Sequence, residues 1–123
     1  MKGNFDNSQP IFRQIIDQVL LAISTGELVP GAKVASVREM ALEFKVNPNT
    51  MQKSLAKLEE MGYLYTERTS GRYVTQDIAI IESLKSRLPT QITEKYVADM
   101  LECGLGPEGI LEYVRHHIRK DDE

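Results

Sequence analysis

Residues 46 to 53 read VNPNTMQK, and their side chains carry hydrogen-bonding groups on short, stiff stems. Asn47 and Asn49 flank Pro48, Thr50 follows, and Gln52 and Lys53 lie one turn further on. A primary amide presents a donor and an acceptor side by side, so Asn49 or Gln52 can bond the edge of a nucleobase at two points, while Thr50 offers a hydroxyl and a methyl. Other positions offer charge instead. Arg38 follows Ser36 at the start of a short amphipathic run, and Arg68 and Arg72 flank the sequence TSG, with Gly71 between them and a turn. Guanidinium groups spaced around a polar knuckle suit an anionic backbone better than a small substrate.

Competing chemistry is weak. No serine or cysteine stands in a nucleophile elbow, no glycine-rich phosphate loop is present, and the carboxylates are scattered along charged helix faces, so no enzyme is expected. His116 and His117 are adjacent, a poor geometry for one metal ion, and no Cys, Asp or Glu at ligand spacing completes a set. No cofactor or metal is expected. Tyr63, Tyr65 and Tyr73 could stack on single-stranded bases, but their places in two short strands favour packing on the helices.

The elements that must hold these residues follow from pattern. Pro10 opens a helix in which Ile11, Phe12, Ile15, Ile16, Val19, Leu20 and Ile23 recur at helical spacing until Gly26, and that face is expected in the core. Pro30-Gly31 then makes a compact corner. Ser36 and Glu39 form a capping box, starting a helix over about residues 37 to 44 with Val37, Met40, Ala41 and Phe44 facing inward. Asn47 caps the next helix and Pro48 suits its first position, giving a helix over about 48 to 61 with Met51, Leu55, Leu58 and Met61 inward. Asn49, Gln52, Lys53 and Ala56 fall on the opposite face, and Lys57 can pair with Glu60. Tyr63 to Thr66 and Tyr73 to Thr75 read as strands of a hairpin turning at ERTSG.

After residue 75 the character is helical again. Ile78, Ile81 and Leu84 form one stripe that Pro89 is expected to end; Ile92, Tyr96, Met100 and Cys103, with Val97 and Leu101 alongside, form a second up to Gly104; and Ile110, Leu111, Val114 and Ile118 form a third. A tail of this size cannot bury three apolar faces by itself, so a two-fold mate is expected to cover them and to space two heads symmetrically. It also leaves little room for an enclosed effector pocket, which ordinarily needs at least roughly 300 Å³.

The chain has 123 residues, 41% of them hydrophobic, enough for one ordinary domain or two small ones. Its formal net charge is -3, divided unevenly: residues 1 to 75 hold nine Lys and Arg against eight Asp and Glu, residues 76 to 123 six against ten. Charge alone therefore argues little for nucleic acid. One cysteine rules out an intrachain disulfide framework, the first residues lack the apolar run of a signal peptide, and no segment has the roughly 18 apolar residues of a membrane span, so a cytoplasmic protein is expected.

The order helix, short helix, helix, hairpin is that of a winged helix-turn-helix, and residues 10 to 74 closely resemble the DNA-binding domain of the GntR family of bacterial transcriptional regulators. Gly26, Leu28, Pro30, Gly31, Ser36, Arg38, Glu39, Ala41, Val46, Asn47, Thr50, Leu58, Glu59, Gly62 and Gly71 stand where that pattern asks for them, and the short tail resembles that of its small YtrA-like subfamily. The family's usual Leu-Pro before the serine reads Val34-Ala35, and larger members often carry arginine where Pro48 and Gln52 stand. The resemblance implies a mainly α fold with a small β-hairpin, a DNA-binding domain over 8 to 75 and a helical dimerisation region, with a possible effector role, over 76 to 120. It implies a homodimeric repressor on a palindromic double-stranded operator, controlling in small members a transporter operon. Its contacts are expected at Ser36, Arg38, Asn47, Asn49, Thr50, Gln52 and Lys53, with Arg68, Gly71 and Arg72 in the wing. The rival expectation is a winged-helix module that binds protein without specific DNA contact.

Overall fold

The computed structural model describes Phe5 and residues 9 to 121, of which 120 and 121 by backbone only. The elements are α1 (Ile11–Thr25), α2 (Val37–Phe44), α3 (Pro48–Glu60), β1 (Leu64–Glu67), β2 (Gly71–Val74), α4 (Ile78–Glu102) and α5 (Pro107–Asp121). The fold is mainly α with one antiparallel hairpin, the class expected. One compact unit ends at Ser86 and a second begins at Arg87.

Local chemistry explains where the helices begin and stop. Pro10 precedes α1, and Gly26 ends it in the left-handed region at φ 84°, where a side chain would be strained even though a Cβ would meet nothing. Ser36 and Glu39 form both bonds of the capping box at the start of α2: the Glu39 N–H donates to Ser36 Oγ at 3.1 Å and the Ser36 N–H to Glu39 Oε1 at 3.3 Å. At the start of α3 the Asn49 N–H donates to Asn47 Oδ1 at 2.7 Å, and Pro48 fills the first turn. Between these helices Lys45 sits at φ 58°, its N–H closing onto the end of α2, and is the one non-glycine with positive φ among the described residues.

α3 is the centre of the first unit, packed on α1, α2 and β1. Met51, Leu55 and Leu58 on its inner face are fully buried, together with Ile15 and Val19 from α1, Met40 and Phe44 from α2, and Leu64 and Val74 from the hairpin. Full burial of each such side chain contributes about 1.5–3 kcal/mol. Ser54 joins this face: its hydroxyl is buried and donates to the Thr50 carbonyl at 2.8 Å, so its polarity is satisfied within its own helix.

Several expectations are corrected. Ile11, expected in the core, opens α1 and is 36% exposed. Met61 lies beyond the last turn of α3 and is 39% exposed; at about 100° per residue it falls about 80° from Met51, too far round to share its face. The strands run Leu64–Glu67 and Gly71–Val74, pairing Leu64 with Val74 and Tyr65 with Tyr73. The corner after Pro30 is more than a turn: Lys33 bridges Tyr73, with the Val34 N–H donating to the Arg72 carbonyl and the Val74 N–H to the Ala32 carbonyl, each at 2.9 Å. Of the tyrosines, Tyr63 is buried, whereas Tyr65 and Tyr73 stack on each other with centroids 5.8 Å apart.

Pro89 does not end its helix. α4 runs through it for 25 residues. Proline removes one donor, leaving the Lys85 carbonyl without its helical partner, but both positions are exposed and water can serve that oxygen. The stripe at 78 to 84 is also not available to a mate as a whole, because Ile81 and Leu84 are buried in the first unit. Among the described residues no helix is long and apolar enough to cross a membrane.

Candidate nucleic-acid interface

The residues expected to contact DNA occupy three stretches of the first unit. On α2, Ser36 caps the helix and Arg38 projects, exposed, from its first turn. On α3, Asn47, Asn49, Gln52 and Lys53 are exposed and Thr50 is half-buried. Asn47 spends its carbonyl oxygen on the cap, which leaves its NH₂ group as the outward donor, while the Asn49 side chain stands clear of the core. This first turn is rigid from both sides: the cap and Pro48 hold its backbone, and the buried Met51 and Ser54 hold its inner face.

The hairpin forms the third stretch. Arg68 is exposed at the turn, whereas Arg72 is half-buried beside Thr66, with its Nε out of reach of solvent and of any acceptor among the described residues. Gly71 has φ 118°, a conformation that side chains rarely adopt. An open cleft of about 750 Å³ brings Ser36 together with Gly71 and Arg72 and adds Lys33, Glu39 and Ser70 to its walls. Arg38, Arg68 and the α3 residues lie outside this lining.

Electrostatics at the cleft centre on the cap. Hydrogen bonds from the Ser36 side chain, then from its backbone, hold the Glu39 carboxyl below its ordinary range, with a smaller contribution from the charge of Lys33. Lys33 and Ser70 were not among the residues expected at the interface. The exposed Lys33 between the half-buried Ala32 and the buried Val34 was the available signal, a strand alternation that the neighbouring Pro30-Gly31 turn obscured. Lys57, by contrast, pairs with Glu60 at 3.6 Å, as its spacing implied.

The second unit carries an open apolar groove of about 810 Å³, walled by Ile92, Tyr96 and Met100 of α4 and Tyr113, Val114 and Ile118 of α5, with Cys103 and His117 at its margin. His117 Nδ1 lies 2.8 Å from the Tyr113 carbonyl. Among the described residues no three His, Cys, Asp or Glu are grouped to hold a metal ion.

A capped short helix, a turn, a second helix with a polar exposed N-terminus and an adjoining two-stranded wing define the winged helix-turn-helix of DNA-binding transcriptional regulators. The chain belongs to the gntR family of bacterial regulatory proteins, whose model matches residues 12–74. It is similar to the HTH-type transcriptional regulator YhcF of Bacillus subtilis, 39% identical over 94% of this chain and 95% of that protein. The HTH-type transcriptional repressor YtrA of the same organism is 31% identical over 89% of this chain and 85% of its own length. A solved GntR family transcriptional regulator from Listeria monocytogenes superposes with a TM-score of 0.84 at 39% identity, covering 91% of this chain and 98% of that one.

Proposed function

We propose that the protein is a cytoplasmic, homodimeric repressor of the YtrA-like small subfamily that binds a palindromic operator, with residues 8 to 75 as the DNA-binding domain and 76 to 120 as the dimerisation region. The observation that carries the reading is the capped turn at the head of α3, with Asn47, Pro48 and Asn49 exposed and Thr50 half-buried. In a winged helix-turn-helix this end enters the major groove, and short amides on a fixed backbone are suited to base edges. Asn49 and Gln52 read bases, Thr50 contributes its hydroxyl or methyl, and Asn47 donates from its NH₂. Arg38, Lys53 and Ser36 hold phosphate, and Arg68, Gly71 and Arg72 form the wing contact.

The dimer reading is supported by the second unit. Ile92 and Ile118, which wall the groove of α4 and α5, and Leu101 and Leu111 on the same helices each have more than half of their surface exposed. Covering these faces with a second copy buries them and gives two heads the symmetry a palindrome requires. Similarity along most of its length to a protein described as a transcriptional repressor supports the sign of regulation. A transporter operon is the expected target.

Footprinting on genomic fragments, beginning upstream of the protein's own gene, tests the reading. A protected site of two inverted half-sites about one helical turn apart is expected. Absence of any protected fragment would favour a protein-binding winged helix instead. Sedimentation equilibrium tests the dimer, and a monomer at micromolar concentration would rule it out.

A further inference from the structure

We propose that Lys33 is an additional phosphate-contacting residue, which together with Arg72 and the opening turn of α2 seats one backbone phosphate of the operator. The proposal rests on the DNA-binding reading above and extends it to a residue outside the helix-turn-helix and the hairpin.

Lys33 owes its position to the third, one-residue rung of the sheet. The Val34 N–H to Arg72 carbonyl and Val74 N–H to Ala32 carbonyl bonds, both 2.9 Å, flank it and make it the non-hydrogen-bonded partner of Tyr73. Side chains of such a pair lie close together on one face. From there the lysine stem passes Gly71: a Cβ added at that glycine would stand 3.4 Å from Lys33 Cε. Gly71 thus both adopts a backbone conformation that other residues resist and leaves open the path along which the lysine crosses the wing.

What the stem reaches is a cleft furnished for an oxyanion. Arg72 lines it as a second cation beside Lys33. Ser70 Oγ accepts from the Tyr73 hydroxyl at 2.9 Å and keeps its own hydroxyl proton for a further acceptor, whereas the Ser36 hydroxyl is engaged with Glu39 in the cap. Val37 in the first turn of α2 also lines the cleft, and that end of a helix favours an anion. The one carboxylate in the lining, Glu39, accepts from the Ser36 N–H, and Lys33 is the nearby cation that acts on it. Two cations against one committed carboxylate leave the cleft with a surplus of positive charge. The rival account is that Lys33 serves Glu39 alone, as part of the cap.

The full-length protein distinguishes the two. Binding is measured by fluorescence anisotropy on a fragment the wild type protects and on a random duplex, over a range of salt concentrations, for the wild type, Lys33→Gln and Lys33→Arg. Loss of affinity by about 3- to 10-fold on both duplexes in Lys33→Gln, with a salt slope lower by about one, supports the phosphate seat, as does recovery of the slope in Lys33→Arg. Wild-type affinity and slope in Lys33→Gln overturn it. A lowered melting temperature with an unchanged slope also overturns it, in favour of the cap. If the wild type protects no fragment, it is the DNA-binding reading that fails, a result separable from the other three.

Discussion

The Glu59 carboxylate in the last turn of α3 accepts a hydrogen bond from the Thr66 hydroxyl on β1. The two residues link the helix whose head carries Asn49 to the wing that carries Arg72. Both are near the surface, which limits what the bond adds to stability. A double-mutant cycle with Glu59→Ala and Thr66→Val should give a coupling of about 0.5–1.5 kcal/mol in denaturant unfolding. Strictly additive losses would show that the bond does not form in solution.

Asn49 and Arg38 should separate by the kind of DNA they matter for. Asn49→Ala is expected to weaken operator binding by about 1–3 kcal/mol and random DNA very little, since a base edge is read only in the right sequence. Arg38→Ala should weaken both alike and flatten the salt dependence. Equal losses on both duplexes for Asn49→Ala would remove it from base readout.

The capping box predicts an acid limb. Glu39 is held below its ordinary 4.5 chiefly by the Ser36 side chain, so its charged form is favoured by folding. A depressed carboxyl contributes stability above its unfolded value and loses it as pH falls through the folded one. Wild type should therefore melt higher than Glu39→Gln above pH 4.5, and the gap should close as the pH is lowered below it. A gap independent of pH would mean that the carboxylate is not the titrating partner.

Lys45 occupies a left-handed turn at φ 58° between α2 and α3. Non-glycine residues there cost about 1–2 kcal/mol, part of which glycine's extra unfolded-state freedom cancels. Lys45→Gly should thus raise stability by about 0.5–1 kcal/mol, read as a shift of the urea midpoint at constant slope. A loss of stability would show that the lysine side chain contributes more than the strain it carries.

The limits of α1, α2 and α3 were legible in the sequence because each is set by neighbours within four positions. Ser36 and Glu39, Asn47 and Pro48, and the Met51-Leu55-Leu58 period all act inside one turn or between adjacent turns. The exposed polar head of α3 follows from the same local rules. So does membership of the family, since its pattern lies in these helices and in glycines that local turns require.

Other features depended on residues far apart in the chain. Lys33 joins Tyr73 and passes Gly71 only after the sheet has closed, and the half-buried Arg72 comes to share one cleft with residues 33 to 37 and Glu39. Pro89 looked like a stop because local sterics and a missing donor oppose a helix, yet α4 continues through it at a place where Pro89 and Lys85, whose carbonyl it leaves free, are both exposed. Ile81 and Leu84 left the stripe offered to a mate because the first unit buries them. Short-range backbone chemistry set the starts and ends of the first three helices in the sequence itself, whereas burial and side-chain convergence arise from contacts between distant segments and exist only once the chain has folded.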